Sequence, residues 1–113
     1  MGGTANTVSD LVRRYYASYD TKDREACERL LSEDFKFSSP RDDHIDRAAY
    51  FARCWPNSEK YRATRIEKLF VEGNQAFVRY ECEKNDGGKF RCVEFLTIEG
   101  GKIADVEVYF GSL

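Results

Sequence analysis

Glu94 stands in an otherwise apolar row. Side chains on a strand alternate between the two sheet faces, and one face of the run from Phe90 to Glu99 reads Cys92, Glu94, Leu96, Ile98. Full burial disfavours a charged carboxylate by about 4–7 kcal/mol, so an acid on a helix-covered face is expected to be neutral, hydrogen-bonded or at the edge of a wet cavity. A neutral acid donates a hydrogen bond and can hold charge that develops on a carbonyl oxygen. The competing readings are a hydrogen-bonded structural acid and an ion pair with Arg79 or Arg65. A second polar group, Tyr15, falls on the apolar stripe of a helix, where a tyrosine serves the core or offers its hydroxyl. A third cluster is the polar loop Arg41-Asp42-Asp43-His44-Ile45. There the His44 imidazole and the Asp42 and Asp43 carboxylates are candidate proton movers, or the loop is simply solvated and its acids are caps.

The elements that must position these groups follow from periodicity. Val8, Leu11, Val12, Tyr15, Tyr16 and Tyr19 recur at spacings of three and four, which predicts an amphipathic helix. Asp23 can cap a second helix with Ala26, Cys27, Leu30 and Leu31 on its inner stripe. Phe35 to Ser38 alternates and reads as a short strand ended by Pro40. Asp46 can cap a third helix carrying Ala49, Tyr50, Cys54 and Trp55, which Pro56 stops. The remainder is strand-like: Tyr61 to Val71, Ala76 to Glu83, Phe90 to Glu99 and Ile103 to Phe110. The turns between them fall at Glu72-Gly73-Asn74, Asn85-Asp86-Gly87-Gly88 and Glu99-Gly100-Gly101. The expected architecture is α+β, with three N-terminal helices over a strongly curved antiparallel sheet. Its inner face carries Ala76, Val78, Tyr80, Cys82, Val106, Val108 and Phe110. Val93, Phe95 and Tyr109 would form an apolar patch on the outer face, which predicts a homodimer packed sheet against sheet. Cys82 and Cys92 would face each other across the hairpin if its loop had three residues, as a dithiol, a disulfide or two inert buried thiols.

Composition narrows the function classes. The 113 residues suffice for one domain and not two, so 1–113 reads as a single domain with a flexible N-terminus over residues 1–6. Net charge is −2, with 34% charged residues of mixed sign. That leaves no electrostatic footprint for nucleic acid and no basic run for an anionic membrane. Four cysteines without a CxxC pair and a single histidine make a metal site unexpected. No apolar stretch reads as a signal peptide or membrane span, so a reducing, cytoplasmic setting with free thiols is expected. No cofactor is implied.

The order of elements carries a resemblance. It rests on Arg14-Tyr15-Tyr16 through Asp23, on Asp34-Phe35 through Pro40, and on Gly101-Lys102-Ile103 with Tyr109-Phe110. From Val8 to Gly111 the chain resembles the nuclear-transport-factor-2-like superfamily, and within it the SnoaL-like group of polyketide cyclases, close to ketosteroid isomerases. The resemblance implies a conical, cystatin-like fold with a deep pocket, usually dimeric, in proteins that range from isomerases, cyclases and hydrolases to non-catalytic binders. Tyr19, Phe37, Ser39, Phe51, Trp55, Val78, Tyr80, Cys82, Cys92, Leu96, Val106, Val108 and Phe110 are the expected pocket lining. Alignment with ketosteroid isomerase places Tyr15 and Glu94 at the two oxyanion-hole positions, with Glu94 reached by counting back from Gly101-Lys102-Ile103. Ser39 falls at the base position and cannot serve as one, which leaves His44, Asp42 or Asp43 to replace it. Two readings follow. In one, an isomerase, cyclase or hydrolase acts on a small apolar carbonyl compound, with Glu94 and Tyr15 donating hydrogen bonds. In the other, the domain binds a ligand or dimerises without chemistry.

Overall fold

Tyr15, Tyr16 and Tyr19 lie on helix α1 (Thr4–Thr21), whose apolar stripe of Val8, Leu11, Val12, Tyr15 and Tyr16 is buried. The computed structural model describes residues 4–110. The segment expected to be flexible through residue 6 is therefore helical from Thr4, and residues 1–3 lie outside the described part. Helix α2 (Arg24–Leu30) begins at Asp23, whose carboxylate accepts from Ala26 N at 3.1 Å. Strand β1 (Leu31–Ser39), strand β2 (Asp42–Asp46) and helix α3 (Arg47–Arg53) follow, then a 3₁₀ turn (Trp55–Lys60). Four long strands complete the chain: β3 (Tyr61–Glu72), β4 (Gln75–Lys84), β5 (Lys89–Glu99) and β6 (Lys102–Tyr109).

The six strands form one curved sheet in the order β2-β1-β6-β5-β4-β3, with the helices packed on its concave side. The fold is α+β, and the sheet does not close into a barrel. Register shifts between Ile66 and Lys68, between Phe37 and Ser39, and between Thr97 and Ile98 insert bulges that bend the strands. The predicted inner faces hold: Ala76, Val78, Tyr80 and Cys82 are buried, as are Cys92, Glu94, Leu96 and Ile98.

Several local expectations need correction. The sheet is mixed rather than wholly antiparallel, because β1 lies parallel to β6, with Leu31 opposite Ile103 and Phe37 opposite Val106. That pairing draws Leu31 out of the helix and lengthens the short strand to nine residues. The polar loop after Pro40 is an edge strand, with Phe37 opposite Ile45 and Ser39 opposite Asp42. Its backbone bonds to β1 hold it without an apolar face of its own. Pro56 does not end α3. The helix stops at Arg53, and Pro56 sits in the first turn of the 3₁₀ segment, where its missing N–H is not needed. Cys82 and Cys92 do not face each other: Cys82 is opposite Phe90 and Cys92 opposite Tyr80, and all four cysteines are free thiols.

Candidate functional site

Strand directions bring one set of ends together. The C-terminal ends of β1 and β6 share one edge of the sheet, because the two run parallel. Antiparallel pairing then places the start of β5, the end of β4 and the start of β3 at the same edge. The last β6 partner of β5 is Tyr109, opposite Val93, so residues 89–92 overhang the end of β6. Under this overhang a cavity of about 860 Å³ opens between the sheet, α1 and the segment around Cys54 and Asn57.

Glu94 lies on the cavity wall, one pair in from the end of β6, between Val78 and Val108. It is 6% exposed. Tyr16 Oη donates to its Oε1 and Tyr80 Oη to its Oε2, each at 2.5 Å. Such short distances suit phenol donors on a carboxylate. Burial pushes the Glu94 carboxyl above the ordinary glutamate range, while the Tyr16 and Tyr80 hydroxyls pull it back. Neither Arg79 nor Arg65 reaches it. Both pair with Glu67 on the outer face, and Arg65 also pairs with Glu81.

Proton counting defines what this assembly offers. With Glu94 ionised, two hydroxyl protons serve two bonds, so the group presents only acceptor lone pairs. With Glu94 protonated, three protons serve the same two contacts, and one O–H is left to give. The donor role read from the sequence thus belongs to the protonated state, and the ionised state is a proton acceptor.

The expectation that Tyr15 stands beside Glu94 is corrected: the neighbouring Tyr16 holds the carboxylate. Adjacent helical residues diverge by about 100°, so Tyr16 faces the sheet while Tyr15 turns toward α3. The Tyr15 and Tyr50 hydroxyls are 2.7 Å apart, and the Tyr19 hydroxyl also bonds that of Tyr50. Three hydroxyl protons again serve two contacts, leaving one spare O–H in this trio. Tyr15 and Tyr19 line the cavity and Tyr50 does not, so the spare O–H reaches the cavity in the arrangement in which Tyr50 donates to one of them and accepts from the other. Burial raises all three phenols well above their usual range and keeps them protonated.

Of the other expected lining residues, Tyr19, Phe37, Ser39, Tyr80, Cys82, Cys92, Val108 and Phe110 meet the cavity. Phe51, Trp55, Val78, Leu96 and Val106 do not; they are buried in the core behind it. Ser39 Oγ donates to Asp42 Oδ2 at 3.2 Å, and Asp42 Oδ1 lies 2.6 Å from Arg53 Nη2. Asp42 therefore reaches the cavity as one half of an ion pair. His44 does not reach it. Its backbone is left-handed (φ 50°), which breaks the strand alternation, and its ring lies in a separate groove with Asp34, Lys36 and Asp105. There its Nδ1 is 2.6 Å from Asp43 Oδ1. Sequence reasoning missed Cys54, Asn57, Tyr61, Thr64 and Phe90 as lining. Phe90 was legible as the inner-face residue two before Cys92. Asn57 lies in a 3₁₀ turn that carries no periodic signal.

Burial raises the thiols of Cys54 and Cys82 to about 11. They are inert walls at neutral pH. Among the described residues, no cluster of three or more His, Cys, Asp or Glu could hold a metal ion, and no helix is long and apolar enough to cross a membrane.

The model of the SnoaL-like domain family matches residues 12–106. No curated protein matches the chain in sequence. Among solved structures, an NTF2-like protein of unknown function from Cytophaga hutchinsonii is 25% identical, with a TM-score of 0.76 over 92% of this chain and 89% of that one. A protein classed as a ketosteroid isomerase from Kribbella flavida is 21% identical (TM-score 0.80; 96% and 81% covered). One classed as a polyketide cyclase from Sinorhizobium meliloti is 22% identical (TM-score 0.73; 88% and 94% covered). At the identities of the last two, the likeness carries the fold alone.

Proposed function

The chain belongs to the SnoaL-like family, and on that premise we propose that its cavity binds a small, largely apolar carbonyl compound and moves a proton on the carbon beside the carbonyl, as an isomerase or cyclase does. The observation that carries this reading is Glu94, buried on the cavity wall with both oxygens held by tyrosine hydroxyls. Ionised, Glu94 takes the proton from carbon, and the electron pair moves onto the carbonyl oxygen. The spare O–H of the Tyr15–Tyr50–Tyr19 trio holds that oxygen as its charge develops. Protonated Glu94 then returns the proton to carbon. Burial that raises its pKa makes the Glu94 carboxylate a stronger base than an exposed one.

The test needs no knowledge of the natural substrate. 2-Tetralone, an apolar ketone with acidic hydrogens beside its carbonyl, is incubated with the protein in D₂O and followed by NMR. Faster deuterium uptake than in buffer is the expected result. Ketone that binds without accelerated exchange would favour the second reading, a binding module without turnover. That reading draws on Ser39, which supplies no base, and on Asp42, which Arg53 already engages.

The proposal extends to assembly as a homodimer through the outer face. Phe77 and Phe95 stack there with ring centroids 4.6 Å apart, Phe77 and Tyr109 are about half exposed, and Val93 adjoins them on β5. Exposed aromatic patches of this kind favour association. Sedimentation equilibrium at micromolar concentration is expected to give a dimer and to give a monomer for Phe77→Glu. A monomeric wild type would end this part of the proposal.

A further inference from the structure

The mouth of the cavity carries a charge pattern that the proton-transfer reading leaves unused. Arg41 follows β1, Lys84 ends β4 and Lys89 begins β5, and all three line the cavity at the edge where those ends converge. None of the ion pairs among the described residues involves them. The carboxylates nearby are committed elsewhere. Asp42 pairs with Arg53, Glu81 with Arg65 and Arg91, Glu83 (directly opposite Lys89) with Arg62, and Asp86 accepts from the backbone N–H of Gly88. Below the three cations the wall is apolar: Phe90, Cys82 and Cys92, then Tyr80 and Glu94.

Resting on the proposed function, we infer that the ligand is amphipathic, with its carbonyl group between Glu94 and the Tyr15–Tyr50–Tyr19 trio, an apolar body along the overhanging hairpin, and an anionic terminus at Arg41, Lys84 and Lys89. The span is set by the strand. Lys89 and Glu94 are five residues apart, so the two polar ends of the ligand are separated by about 16 Å. A carboxylate and a phosphate monoester share the required charge. Each would gain from the rim cations.

Calorimetric titration of three probes of one chain length tests this: ω-hydroxydodecanoate, ω-hydroxydodecyl phosphate and dodecane-α,ω-diol. All place a hydroxyl at the inner end of the cavity, and they differ only at the far end. At least one anionic probe is expected to bind about tenfold tighter than the diol, as two or three partly exposed ion pairs allow. The better anion identifies the terminal group. Molar salt should erase the advantage, and so should the double variant Lys84→Gln, Lys89→Gln. Equal binding of all three, or an advantage that survives the double variant, overturns the anionic terminus while the cavity reading stands. If no probe binds, the cavity reading falls with it.

Discussion

Glu94→Gln is expected to lower carbon-proton exchange at least ~100-fold, as expected for loss of a group that acts on the transition state. Glutamine keeps the shape and can meet both tyrosines, with its carbonyl accepting from one hydroxyl and its amide donating to the other. It cannot take a proton. The fold should therefore survive while exchange stops, and the NMR assay on 2-tetralone measures the difference. Stability moves in the opposite direction. The folded-state pKa of Glu94 lies above its unfolded value, so the native state binds the proton more tightly. Below the unfolded value the carboxyl is neutral in both states and costs nothing. As pH rises from there through the folded value, the wild type must bury a charge and loses stability, whereas Glu94→Gln does not. Denaturation midpoints of the two proteins should diverge in that window, in favour of the variant. An unchanged exchange rate in Glu94→Gln would remove Glu94 from the mechanism.

Tyr50→Phe is the other change with a large expected effect. The Tyr50 hydroxyl is the shared partner of Tyr15 and Tyr19, and the residue is completely buried, with Phe35, Phe37 and Phe51 around its ring. Removing one oxygen leaves the ring packing intact and strips both partner hydroxyls of their contact. The expected cost is about 1–3 kcal/mol, read from chemical denaturation, with the lower end applying if cavity water re-bonds Tyr15 and Tyr19. Exchange should fall as well, because Tyr15 and Tyr19 lose the bond that fixes them. Tyr50 does not line the cavity, so it acts as a positioning residue. The expected kinetic signature is a lower kcat with KM nearly unchanged. A loss confined to KM would instead assign the trio to ground-state binding.

These two residues also show how much the sequence revealed. Glu94 was legible because β5 keeps strict alternation and three apolar neighbours share its face. Its phenolic partners were only half legible. Tyr15 and Tyr16 sit side by side on one buried stripe, and which of them meets the sheet depends on the rotation of α1 about its axis, a tertiary quantity. Tyr50 was placed on the third helix, but nothing local says that its hydroxyl meets two others from α1. Strand β2 was read as a loop because Asp42, Asp43, His44 and Asp46 carry no apolar face; only backbone pairing to β1 makes them a strand. The same gap misplaced His44, whose left-handed backbone turns it to the outer groove. The cysteine alignment failed on one variable, the position of the hairpin turn: Lys84 N–H bonds to Gly88 O, which centres the turn on Asp86 and sets Cys82 opposite Phe90. The inner faces of β4, β5 and β6 needed no such tertiary detail, because burial on one side of a sheet writes itself into every second residue.

The ionisation of buried Glu94 is read most directly, and without a substrate, by a ¹³C titration of the glutamate side-chain carboxyls. One resonance, missing from the Glu94→Gln spectrum, is expected to titrate above the range of the remaining glutamates and to shift further up in Tyr16→Phe, which removes a donor to the anion. A Glu94 resonance that titrates with the exposed glutamates would contradict this expectation.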